Sequence, residues 1–142
     1  MTQDEIRSNL FATLSAWTTT RIAWPNRPFE PLPTEYWIRP TLRMGDAFNL
    51  EKGEDSGLDA EVGIFYIDLF CPIGKGSTTG LGYANTLRDL YRRKSYSDSD
   101  GDLLCNAVSV VDIGEELTAS TGTKSGFYHI QLRVFITNFI DE

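Results

Sequence analysis

Residues 62–94, "VGIFYIDLFCPIGKGSTTGLGYANTLRDLYRRK", decide the reading of the chain. Over 62–71 the pattern is that of a strand. Phe65, Ile67, Leu69 and Cys71 fall on one face and Val62, Ile64, Tyr66 and Phe70 on the other, with Asp68 the one charge. A strand apolar on both faces is expected in the middle of a covered sheet. From about Thr78 to Lys94 the period changes. Leu81, Ala84, Leu87 and Tyr91 recur at helical spacing and form the expected buried stripe. Arg88, Arg92, Arg93 and Lys94 gather at the C-terminal end, where the helix dipole favours cations.

Between strand and helix lies "CPIGKGSTTG" (71–80), placed where phosphate-binding loops sit. The spacing matches no such loop. A P-loop requires G-x-x-x-x-G-K-[ST], yet here Lys75 follows Gly74 directly and Gly76 follows the lysine. Thr79 occupies the third glycine position of G-x-G-x-x-G. The stretch therefore reads as a structural turn. Its glycines supply backbone freedom, and Ser77 or Thr78 is expected to cap the helix.

Upstream, Thr2 and Glu5 form a capping-box pattern, and Ile6, Leu10, Leu14 and Trp17 share the core face of a first helix. Residues 24–40, "WPNRPFEPLPTEYWIRP", are stiffened by proline into an extended crossing segment that runs into a strand at about Trp37–Met44. Ile38, Leu42 and Met44 face one side of that strand, and Arg39, Thr41 and Arg43 the other. Pro40 implies an edge position or a bulge. Residues 45–60, polar and acidic, are expected as a long hairpin loop or mobile arm, and 95–102 as a solvated loop. Strands follow at 103–113 and 127–140. In the second, Tyr128, Ile130, Leu132, Val134 and Ile136 alternate with His129, Gln131, Arg133 and Thr137.

This order predicts one α+β domain over residues 1–142, a sandwich of a mixed, mainly antiparallel β-sheet with two α-helices packed on one face. The composition agrees: 142 residues with 41% hydrophobic content can bury a real core. The net charge of -7 disfavours a nucleic-acid binder that works by phosphate neutralisation. No apolar run reaches the roughly 20 residues that span a bilayer. With no signal peptide recognisable, Cys71 and Cys105 are expected to be reduced core residues.

Catalytic patterns are absent from the sequence. His129 is the sole histidine, so a histidine-rich metal site is impossible, and on the polar face of a strand it reads as an ordinary surface or interface residue. Asp98, Asp100 and Asp102 begin like a calcium loop, but Gly101 and Ser109 stand at the wrong positions for one. No catalytic residue, metal or cofactor is expected.

Two segments, "NRPFEPLPTEYWIRP" (26–40) and "FYIDLFCPIGKGS" (65–77), resemble the tail terminator proteins of long-tailed phages, of the lambda minor tail protein U type. In that family an Asn-x-Pro-Phe-x-Pro segment leads into Trp-Ile-Arg, and an apolar strand ends in Pro-x-Gly-x-Gly-Ser before a helix. Pro40 directly after Arg39 departs from the pattern. The resemblance implies a non-enzymatic structural protein of the virion tail, present in the host cytoplasm during assembly. It implies a homo-oligomeric, hexameric ring that caps the tail tube, stops its polymerisation and prepares head–tail joining. The implied partners are the tail tube protein and a head–tail connector protein, with no specific nucleic acid and no membrane.

A ring of identical subunits needs two different, complementary flanks. Arg39, Arg43, Arg88, Arg92 and Arg93, set against acidic segments 51–61 and 98–102 that include Glu51, Glu54 and Asp55, could form them. Lys75 is a further candidate for a subunit or tube contact. Two other readings stand beside this one: a small nucleotide- or phosphate-binding enzyme using Lys75, Ser77 and Thr78, and an adaptor module that binds a protein through a sheet edge near Pro40.

Overall fold

The computed structural model describes residues 1–49, 58–75, 77–99, 101–117 and 124–141. Helix α1 (Gln3–Leu14) opens with the expected capping box: Glu5 N–H donates to Thr2 Oγ1, and Thr2 N–H donates to the Glu5 carboxylate. Ile6, Leu10, Leu14 and Trp17 are all buried, as the helical spacing requires. The strands β1 (Arg21–Ile22), β2 (Trp37–Asn49), β3 (Leu58–Pro72), β4 (Ser95–Asp98), β5 (Gly101–Leu117) and β6 (Lys124–Asp141) form one sheet in the order β1-β2-β3-β6-β5-β4. Helix α2 (Thr78–Tyr91) links β3 to β4. Among the described strands only β1 and β2 pair in parallel, so the sheet is mixed and mainly antiparallel.

Both helices pack on one face of this sheet. That face is built by Ile38 of β2, Phe65, Ile67, Leu69 and Cys71 of β3, Ile130, Leu132, Val134 and Ile136 of β6, and Leu103 and Cys105 of β5. The buried Tyr91 hydroxyl donates to the Leu10 carbonyl at 2.7 Å and ties α2 to α1. Both cysteines are free and buried, and burial raises each thiol pKa to about 11. They are therefore protonated and unreactive at neutral pH.

Pro40 does mark an edge. The Ile38 carbonyl accepts from Ala23 N–H, on the β1 side of β2. Residues two apart point the same way, so the missing N–H of Pro40 faces that side, where β1 has already ended.

Several expectations are corrected. Residues 45–60 are not a loop throughout, because β2 runs to Asn49 and β3 starts at Leu58, with Ala47↔Glu61, Phe48↔Ala60 and Asn49↔Asp59 paired. Hydropathy could not reveal this, since β6 continues alongside as far as Asp141 and the backbone ladder holds the strands. The expected solvated loop at 95–102 is instead largely strand: Ser95–Asp98 (β4) pairs antiparallel with Gly101–Leu104 of β5. Gly101 permits it at φ +147°, where a Cβ would lie 1.9 Å from the Phe139 carbonyl oxygen. Helix α2 stops at Tyr91, short of Lys94, as Arg93 adopts a left-handed φ of 59°. Ser77 holds the N-cap position of α2 without a side-chain capping bond.

The buried stripe of α2 is Gly80, Ala84, Leu87 and Tyr91, while Leu81 is exposed. A Cβ on Gly80 would lie 2.4 Å from Cys71 Sγ, so the glycine lets the helix close onto β3. Finally, β3 is central but, among the described residues, covered on one face only. Its second face belongs to the surface described next.

Candidate assembly surface

The register fixes which side chains meet on the face that the helices leave open. Trp37, Phe70 and His129 form one row across β2, β3 and β6. Arg39, Asp68 and Gln131 form the next, followed by Thr41, Tyr66 and Arg133. Arg43, Ile64 and Phe135 close the series. Such cross-strand neighbours sit about 5 Å apart, close enough for each row to act as a unit.

Asp68 organises the middle of this face. It is only 5% exposed. His129 Nε2 meets its Oδ1 at 2.7 Å, and Gln131 Nε2 donates to the same oxygen at 2.9 Å. An ionised carboxylate only accepts, so His129 carries its proton on Nε2. Arg39 lies 3.6 Å from Oδ2, and Arg133 Nε donates to Gln131 Oε1 at 2.9 Å. Burial pushes the Asp68 carboxyl up. The hydrogen bonds from His129 and Gln131, with the charges of His129 and Arg39, pull it down by more, and the net position is below the ordinary value. The expectation was an ordinary surface or interface histidine, and its surface half is corrected. His129 is 6% exposed, stacked on Phe70 at 4.7 Å and paired with Asp68.

Above this pair the surface is concave. A depression of about 420 Å³ is lined by Arg39, Thr41, Arg43, Tyr66, Arg133 and the Asp68–His129–Gln131 group. Neither Arg43 nor Arg133 has an ion-pair partner among the described residues. An aromatic cluster bounds the depression on one side: Trp37 stacks on Phe70 at 4.1 Å, and Phe29 and Phe127 pack against Trp37. Exposed Val62 and Phe135 lie toward the other side. Around the edge of β2 a second depression, of about 560 Å³, lies between the proline segment and α1, with Arg7, Phe11, Trp24 and Pro40 among its walls.

The sequence-selected residues are distributed as follows. Arg39 and Arg43 stand together on the open face. Lys75 lies in the exposed turn before α2, with Nζ 3.5 Å from the Thr34 carbonyl. Arg88 is half-buried in the last turn of α2, and Arg92 and Arg93 follow it, exposed, on the way into β4. The two arginine groups are not brought together. Four strand spacings, about 19 Å, separate β2 from β4. Glu51, Glu54 and Asp55 lie outside the described residues. Sequence reasoning missed Arg133, Tyr66 and the Asp68–His129 pair. The available signal was Asp68, a lone charge in an apolar strand, which needs a buried partner.

The comparisons agree with this architecture. A solved structure aligns over 100% of this chain and 97% of its own length, with a TM-score of 0.62 and 19% identity, a likeness of fold. No protein with a curated description matches the chain. The profile of a family described as "Phage tail terminator protein" matches residues 5–130. Covering nearly the whole chain, that match places the protein in the phage tail terminator family, a structural family of the phage tail.

Proposed function

We propose that the protein caps the phage tail tube as a ring of six copies, ends tube polymerisation and presents a surface for head–tail joining. A structural role in the phage tail follows from the family. The ring, the tube protein and the connector protein as partners, and residence in the host cytoplasm before incorporation are the finer reading. One observation supports it above the others. Among the described residues, the second face of a six-stranded sheet is left uncovered and carries exposed Val62 and Phe135 beside Arg43 and Arg133, which have no ion-pair partner there. Exposed apolar side chains beside arginines with donor capacity left over are the composition of a protein contact surface.

The strand ends support it as well. The β2–β3 pair extends to the end of the sheet where Leu58 meets Asp141. The β5–β6 pair projects past Pro72 at the opposite end, as far as Leu117 and Lys124. One end where four strands stop together and one projecting β5–β6 arm give the subunit two different ends, which suits a position between a tube below and a connector above. The test is tube length. Tubes polymerised with the protein should be uniform and end in a ring, and tubes polymerised without it should grow on. Uncontrolled length in its presence would reject the reading.

A further inference from the structure

The depression over Asp68 holds three guanidiniums, Arg39, Arg43 and Arg133, against a single carboxylate. Asp68 is already satisfied by His129, Gln131 and Arg39. Arg43 and Arg133 therefore face outward with donor capacity left over, next to Tyr66 and Thr41. Such an arrangement fits a carboxylate, because the guanidinium fork matches it with two parallel hydrogen bonds. It also stands on a chain whose net charge is -7, so a second copy of the same chain is rich in what it would accept.

The acidic counterpart lies at the far edge of the sheet. Asp98 ends β4 and Asp102 is the second residue of β5, both exposed at the β4–β5 hairpin. Asp98 shares a shallow depression with Asp4 and Glu5 at the start of α1. Asp102 pairs in register with Ser97 and Phe139, and so lies on the same open face as the arginines. In the order β1-β2-β3-β6-β5-β4 the cationic depression sits on the β2 side and the acidic hairpin forms the opposite margin. Complementary patches at opposite margins make a head-to-tail contact, the kind that closes into a ring under repeated rotation. A two-fold contact would instead set each patch against itself.

From this placement we infer that the Arg43–Arg133 depression receives the acidic β4–β5 hairpin of a second copy of the chain. Asp68 and His129 are its floor, holding Gln131 and through it Arg133 in position. The inference deepens the ring reading above and rests on it, adding which surfaces meet.

The test uses the full-length protein in sedimentation velocity, at about 50 mM and about 500 mM salt, where screening differs several-fold. Wild type should self-associate with concentration, more weakly at high salt. Arg43→Glu with Arg133→Glu should reduce association at least tenfold, and so should Asp98→Lys with Asp102→Lys. A one-to-one mixture of the two variants should restore it, since each supplies the partner the other lacks. Arg43→Gln with Arg133→Gln, free of added repulsion, should give an intermediate loss, and thermal unfolding should show every variant folded. A wild type that is monomeric at all concentrations, variants that associate like wild type, or a mixture that fails to recover would each overturn the inference. Intact self-association with no effect on tube length would instead count against the capping reading.

Discussion

His129 Nε2 lies 2.7 Å from Asp68 Oδ1, and this buried pair sits on the sheet face opposite α1 and α2. Its location gives it two roles. It gives a buried carboxylate in the middle of an apolar strand a hydrogen-bond donor, and it fixes the donors around the depression above. Replacing Asp68 by Ala would leave His129 and Gln131 without their acceptor. Loss of one member of such a group should cost about 3 kcal/mol, read as a lower urea midpoint at unchanged slope. A loss below about 0.5 kcal/mol would show that water replaces the carboxylate without penalty.

The same carboxyl sets a pH dependence. Its folded-state pKa lies below the ordinary value of roughly 3.9, so its contribution is fully present above about pH 4. As pH falls through the folded-state value, the contribution is lost. Between about pH 5 and pH 3, the stability difference between wild type and Asp68→Asn should therefore shrink as pH falls. Other carboxylates titrate equally in both proteins and cancel. A difference that grows on acidification would reverse the sign of the argument.

Two glycines of α2 should respond oppositely to the same change. Gly80→Ala would place a Cβ 2.4 Å from Cys71 Sγ, and overpacking of this kind should destabilise by about 1–3 kcal/mol. A Cβ added at Gly82 would meet nothing within 4 Å, so Gly82→Ala should stabilise by the helix-propensity difference, about 0.5–1 kcal/mol. Denaturant midpoints of the two variants decide this, and equal signs would contradict the packing of α2 on β3.

The contrast between Gly80 and Leu81 also shows where sequence reading reaches its limit. Periodicity located the start of α2 and three of the four residues of its buried stripe, because a hydrophobic stripe reports burial, but it ran the helix three residues too far. It preferred Leu81 to Gly80, because hydropathy rewards a large side chain and close backbone approach requires the smallest. The capping box of α1 and the edge position of Pro40 were legible, since both are local. The β4–β5 hairpin and the strand extensions to Asn49 and from Leu58 were not, as ladder hydrogen bonds leave no mark on hydropathy. The Asp68–His129 pair depends on a contact across 61 residues of sequence, and alternation alone gave only the face of each residue.

Lys75 bears on the nucleotide alternative. Its Nζ lies near the Thr34 carbonyl, bracing the turn against the proline segment. Nucleotides at about 1 mM should leave the thermal midpoint unchanged, whereas a ligand at about a hundred times its Kd would add about 2.7 kcal/mol. A nucleotide-dependent rise that Lys75→Ala abolishes would revive a phosphate site at 74–80.

The capping claim is tested most directly by electron microscopy of tail tubes polymerised from the phage's own tube protein, with and without this protein. The account predicts tubes of uniform length closed by a ring when it is present, and tubes of unlimited length when it is absent. Tubes of the same length distribution in both preparations, with bare ends, would contradict it.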